Sequence, residues 1–309
     1  LFAPHASLLI LTGWYAATGG PRGASPAAVG RLVGVALVLT IPWLTVNLEP
    51  ARSLSRLEET AADLSPYALG LLHEQFAYHY QMTGDQEEVT RHYRRCGEVC
   101  PNHPRFHAIY GTYQLNQGNL TEAVAAYQRS VAADSTYVYG WKMEVLARVM
   151  NADYAGALAP ARHLARLGGQ DAQAAAAHGM AAQRMGLLDE ALTAYLAGYA
   201  LDGSRLDLLE RAAGLQLVQR QYTEAANNFR TVLNSEAAPP SAALGLADAI
   251  WQGYQANRQN LTSAAGRARL DEVIGLIGRV QAAPAAQGIS AADLAAWKQE
   301  VQEARAGLQ

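Results

Sequence analysis

Gly118-Asn-Leu-Thr-Glu-Ala-Val-Ala-Ala-Tyr127 returns downstream as Gly186-Leu-Leu-Asp-Glu-Ala-Leu-Thr-Ala-Tyr195, and Ala152-Asp-Tyr-Ala-Gly-Ala-Leu-Ala-Pro-Ala161 stands half-way between them. The period is 34 residues, and in that register five segments run from Gly70 to Pro239. Position 8 of each is small or short: Ala77, Gly111, Val145, Gly179 and Ala213. Position 20 holds Val89, Ala123, Ala157, Ala191 and Ala225, and position 24 holds Tyr93, Tyr127, Ala161, Tyr195 and Phe229. Position 15, between the two halves of a segment, holds Gly84, Gly118, Ala152, Gly186 and Arg220. Small residues at 8 and 20 let two helices approach closely, and an aromatic ring at 24 fills the space that remains. Such a hairpin leaves an apolar face open, so copies stack and the ends need caps.

The period and this spacing of small and aromatic residues resemble the tetratricopeptide repeat (TPR). The resemblance implies an all-α TPR superhelix of about five repeats over residues 66–239, followed by a degenerate repeat and capping helices over 240–309. Helix starts support the register. Asp85 and Asn119 precede Glu88 and Glu122 by three residues, close to a capping box, and Ser290 stands in the same relation to Asp293. In TPR architecture the first helix of each repeat lines a concave groove through positions 2, 5, 9 and 12 to 13. Those positions supply Tyr78, Met82, Arg105 and Asn116 from the first two repeats. The next two supply Tyr139, Lys142, Met180 and Arg184. Such a surface of Tyr and Met with scattered cations suits an extended segment or a helix of a protein partner with apolar anchors. The cations fall in scattered registers, unlike the Lys, Arg and Asn set with which some TPR proteins clamp a C-terminal carboxylate.

The chain has 309 residues, half of them hydrophobic, and a net charge of -3. No Lys/Arg cluster is present to neutralise phosphates, which excludes nucleic acid as the main partner. The N-terminal part is a different material. Residues 32–46 read Leu-Val-Gly-Val-Ala-Leu-Val-Leu-Thr-Ile-Pro-Trp-Leu-Thr-Val, with Arg31 as the nearest charge, inside an apolar run long enough to approach a bilayer span. A second apolar stretch covers Ser7 to Thr18. The expectation is a transmembrane hairpin over residues 1–49, its first helix truncated, then a linker helix over 50–65. Two apolar runs split by Gly19-Gly-Pro-Arg-Gly-Ala-Ser25 do not fit a signal peptide, and a buried soluble hairpin is the alternative. Arg22 and Arg31 on one side balance Arg52 and Arg56 on the other, so positive charge leaves the topology open.

No catalytic constellation and no phosphate-cradling Gly-rich loop stands out, and no cofactor or metal is assigned. His92, Cys96, Cys100, His103 and His107 cluster in sequence, but the spacing is not a zinc pattern, and the repeat register makes Cys96 and His107 packing positions. Whether Cys96 and Cys100 are bridged stays open. The expected function is a non-enzymatic, membrane-anchored scaffold for protein–protein interaction, as an accessory or assembly subunit of a membrane complex. The alternative rests on domain order. Apolar helices that pass through Asn47-Leu-Glu-Pro-Ala-Arg52 into repeats resemble the C-terminal part of TPR-containing polytopic membrane glycosyltransferases. That resemblance implies a non-catalytic portion and favours the exterior, periplasmic or lumenal, side of the membrane.

Overall fold

The computed structural model describes residues 64–235, 238–282 and 290–308. The transmembrane hairpin read over 1–49 and nearly all of the linker helix read over 50–65 lie outside them. Among the described residues there is no strand, and no helix is long and apolar enough to cross a membrane. Two compact units divide the chain after Val99. The first contains the hairpin α1 (Pro66–Thr83) and α2 (Gln86–Val99). The second begins with α3 (Pro104–Asn116), α4 (Leu120–Ala133), α5 (Val138–Met150) and α6 (Tyr154–Arg166). It continues with α7 (Ala172–Arg184), α8 (Leu188–Leu201), α9 (Leu206–Val218) and α10 (Tyr222–Leu233), and ends in α11 (Pro240–Asn257), α12 (Ser263–Ala282) and α13 (Ala291–Ala306). Each 34-residue segment is therefore one helical hairpin, and in the second unit each helix packs on the next in chain order.

The turn inside every hairpin closes in the same way. All five residues at position 15 are left-handed, with φ of 84° at Gly84, 79° at Gly118, 56° at Ala152, 75° at Gly186 and 62° at Arg220. The following N–H then reaches back to the carbonyl five residues earlier: Asn119 to Gln114 at 2.9 Å, Asp153 to Arg148 at 2.9 Å, Leu187 to Ala182 at 2.9 Å and Gln221 to Gln216 at 2.8 Å. This is the Schellman closure, in which a left-handed residue satisfies carbonyls that the helix end leaves open. Glycine adopts that conformation without strain, whereas Ala152 and Arg220 are held there against their own preference. Helix starts are capped by Ser65, Asp85, Asp153, Asp171 and Ser290, whose side-chain oxygens accept from N–H groups at 2.8 to 3.3 Å. Asn119 differs: its side chain makes no cap bond, and its amide donates to Gln114 Oε1 at 2.8 Å.

Packing follows the repeat. The position 20 residues Val89, Ala123, Ala157, Ala191 and Ala225 are all fully buried. Positions 8 and 24 meet across the second, third and fourth hairpins, and their volumes compensate. Gly111 faces Tyr127 and Gly179 faces Tyr195 so closely that a Cβ would lie 2.9 Å and 2.6 Å from the respective rings. In the third repeat the volumes are exchanged: Val145 at position 8 shares a buried cluster with Ala161 at position 24. Beyond the last regular hairpin, α11 and α12 build the largest cluster of the second unit, with Trp251 and Tyr254 stacked at 5.9 Å and Leu294 and Val301 of α13 sealing its end.

Candidate binding face

Every A helix, the first of its hairpin, turns positions 7, 8 and 11 inward or sideways, which leaves position 13 exposed in all five repeats and positions 2 and 9 exposed or half-buried. In the first unit Tyr78 and Met82 lie exposed on α1, at 55% and 67%. In the second, Asn116, Tyr139 and Arg184 are exposed, and Arg105, Lys142 and Met180 are half-buried. Besides Arg105, whose guanidinium lies 5.7 Å from the centroid of the Phe106 ring, three of these residues have internal partners that their spacing alone did not announce. The Tyr139 hydroxyl sits 3.1 Å from Thr112 Oγ1, as does the Tyr127 hydroxyl. Thr112 donates its own proton to the Ala108 carbonyl at 3.0 Å, so its two lone pairs accept both phenols. Burial pushes the pKa of Tyr127 up to about 12, which keeps that donor protonated. Lys142 is ion-paired with Asp171, the residue that caps α7. Arg184 lays its guanidinium over the Tyr154 ring, 5.5 Å from the centroid.

Other polar groups were not singled out by the spacing. Glu144 is buried and held by Arg148 at 2.8 Å, while Arg148 also reaches Asp153 at 2.6 Å. Burial raises the Glu144 pKa, and the Arg148 contact opposes it. Glu190 accepts from Arg162 at 2.6 and 2.7 Å and lies 2.7 Å from His178 Nε2. The Arg162 hydrogen bonds, then His178, hold the Glu190 carboxyl well below the usual range, at about 2. In the first unit His73 and His92 bring their Nδ1 atoms to 3.0 Å, with His92 stacked on Tyr80. Burial, then Arg95 and Arg91 for His73 and His73 and Arg91 for His92, pushes both imidazoles down to about 4, so both are neutral at pH 7 and one Nδ1–H donates to the other Nδ1.

The sequence cluster around Cys96 is a packing feature. Cys96 is buried and donates to the carbonyls of Gly70 and His92 at 3.3 Å, and His107 Nε2 bonds the Pro101 carbonyl at 2.8 Å. Cys96 and Cys100 are not disulfide-bonded. Among the described residues no group of three or more His, Cys, Asp or Glu is placed to hold a metal ion.

Two exposed apolar residues complete the face. Met150 and Val218, at 60% and 67% exposure, occupy position 13 of the third and fifth repeats. Arg184 occupies that position between them, so position 13 presents a row Met150, Arg184, Val218 along α5, α7 and α9. Val218 was readable from the register, as position 13 of the fifth repeat.

No protein-family model and no curated protein matches the sequence. Solved structures do resemble the fold. The crystal structure of YrrB, described as a TPR protein with an unusual peptide-binding site, is 15% identical and covers 60% of this chain and 91% of its own, with a TM-score of 0.50. PilF of Pseudomonas aeruginosa is 13% identical over 76% of this chain and 99% of its own, with a TM-score of 0.49. MamA is 17% identical over 53% of this chain and 89% of its own, with a TM-score of 0.48. The fold is that of a TPR protein, and at these identities the likeness is one of fold.

Proposed function

We propose that this chain is a TPR scaffold whose A-helix face binds a segment of a partner protein, and that residues 32–46 hold the scaffold at a membrane, where it serves assembly of a larger complex. The observation that supports partner binding is the set of large exposed side chains on A helices, Tyr139 and Met150 on α5 and Val218 on α9, with the exposed Asn116 and Arg184 on α3 and α7. Met150 and Val218 share position 13, Tyr139 stands exposed at position 2 of the same helix as Met150, and exposed aromatic and Met side chains of this kind are the type that anchors a partner. The membrane part rests on the apolar sequence alone. The exterior side of the membrane is our reading of the domain order.

Two experiments test this. Replacing Tyr139 by Ala, and separately Tyr78 in the first unit, should weaken capture of protein partners from a detergent extract while helicity and melting temperature stay nearly unchanged. Loss of helicity instead would make the tyrosines core residues, and undiminished capture would move the interface off this face. For anchoring, the intact chain should resist a carbonate wash of membranes and a chain lacking residues 1–50 should not. An intact chain that washes off defeats that half of the proposal.

A further inference from the structure

The tripeptide Asn-Leu-Thr occurs twice, at 119–121 and at 260–262, and the fold treats the two copies differently. Both have the form that accepts asparagine-linked carbohydrate on chains outside the cytoplasm. The first copy is built into a regular hairpin. Asn119 closes the turn: its N–H bonds the Gln114 carbonyl at 2.9 Å, and its side-chain amide donates to Gln114 Oε1 at 2.8 Å. Leu120 and Thr121 are already wound into α4, a geometry in which residues two apart point to nearly opposite sides. The second copy lies in a longer connection. Residues 258–262 join α11 to α12, where residues 117–119, 151–153, 185–187 and 219–221 suffice in the regular hairpins. Arg258–Asn260 make a short 3-10 turn, and Leu261 after it is extended, with φ of -97° and ψ of 139°. An extended residue sends its side chain opposite to those of its neighbours. Leu261 is half-buried against the cluster that holds Trp251 and Tyr254, and Asn260 and Thr262 on either side of it are both exposed. The Asn260 amide makes no hydrogen bond among the described residues. Thr262 Oγ1 accepts from the Ala265 N–H at 3.3 Å as the cap of α12, which leaves its own proton to donate. An unengaged amide and a hydroxyl donor therefore face solvent together, fixed by the apolar side chain between them.

Resting on the exterior reading above, we propose that Asn260 is an attachment site for an asparagine-linked oligosaccharide and that Asn119, in the folded chain, is not. The donor is an oligosaccharide carried on a lipid diphosphate. Asn260 Nδ2 forms a bond to C1 of the first sugar, and the bond from C1 to the diphosphate oxygen breaks. Its electron pair leaves on the diphosphate, and one amide proton passes to a base of the transferase. Thr262 is a positioning residue, whose hydroxyl is bound by the transferase and not by the sugar. The carbohydrate displaces nothing, because Asn260 has no hydrogen bond to give up and Thr262 keeps the cap of α12.

The test has two arms. In the first, the folded full chain in detergent is incubated with an oligosaccharyltransferase and a lipid-diphosphate-linked oligosaccharide, and occupancy is read from tryptic peptides by mass spectrometry. Asn260 should exceed Asn119 by at least about tenfold, the factor that undoing two hydrogen bonds sets against Asn119. Synthetic peptides 115–124 and 256–265, which lack the fold, should accept alike. Thr262→Ala should abolish the product at Asn260, and Thr262→Ser should restore it. Equal occupancy of the two sites in the folded chain, a bare Asn260, or a peptide 256–265 that accepts nothing overturns the inference. In the second arm the chain is translated in the presence of microsomes, with and without Asp202→Asn, which makes a reporter sequon of the exposed Asp202-Gly-Ser204. The expected result is a glycan on Asn260 that is lost in Asn260→Gln. A glycan on the reporter with none on Asn260 overturns this inference alone. No glycan on either overturns the exterior reading, and the site with it.

Discussion

Exchanging the volumes of one hairpin pair measures how the repeat tolerates variation. Tyr195 is fully buried, and its ring fills the space that Gly179 leaves open. Tyr195→Ala removes that ring and its hydroxyl bond to Gln183, at 2.9 Å, and should cost about 3–5 kcal/mol, the range for deleting a buried aromatic side chain. Gly179→Val drives a branched side chain into a ring whose nearest carbons would be 2.6 Å from the new Cβ, an overpacking cost of about 1–3 kcal/mol. The double variant reproduces the Val145/Ala161 pair found in the third repeat. It should cost about 2–4 kcal/mol, which leaves a favourable coupling of about 2–4 kcal/mol between the two sites. Urea denaturation followed by far-UV circular dichroism gives the totals. Hydrogen exchange of the α7 and α8 amides localises them, which matters because repeat arrays need not unfold in one step. Costs that add to within about 0.5 kcal/mol would refute the claim that positions 8 and 24 share one volume.

Two further outcomes are expected. Ala152→Gly and Arg220→Gly should each stabilise the chain by about 0.5–1 kcal/mol, because glycine relieves a left-handed cost of about 1–2 kcal/mol and gives part of it back as unfolded-chain entropy; a lowered melting temperature for both contradicts this. Stability should fall on acidification in two windows. The first runs from the ordinary His value of 6.5 down to about 4, because unfolding lets His73 and His92 take up protons that the folded unit refuses. The second runs from 4.5 down to about 2, where the stability that Glu190 contributes through its lowered pKa is lost. Melting temperatures measured across both windows check this. Arg162→Ala should flatten the second window and leave the first, and an unchanged profile would deny Arg162 its role.

The hairpins were legible because their determinants are local. Positions 8, 15, 20 and 24 lie within one repeat and recur five times, so even Ala152 and Arg220 could be placed at the turn although their conformation is one that other residues avoid. The binding face was legible as a register but not as chemistry. Lys142 was read as a groove cation, yet its partner Asp171 lies 29 residues away on the next hairpin, and nothing in a periodic pattern says which side chains on adjacent copies will pair. The same holds for Glu190, which sits 28 residues beyond Arg162. Glu144 is a case of override. An acidic residue on a solvated helix is the ordinary expectation, but position 7 is buried in every repeat and Arg148, one turn on, accompanies it inside.

The Schellman closure repeated at each turn has a consequence for how the second unit assembles. Its contacts run between helices next to one another in the chain or one hairpin apart, and the turn inside each 34-residue hairpin is tied by a bond that spans five residues. Little loop entropy stands between the unfolded chain and the first hairpin, so folding can start at any copy and spread by accretion, at the fast end of the range for chains of this size. By the same token a tensile load along the stack meets no single clasp. The unit should yield one hairpin at a time under force and rewind when released, a compliant element between whatever its two ends are fastened to.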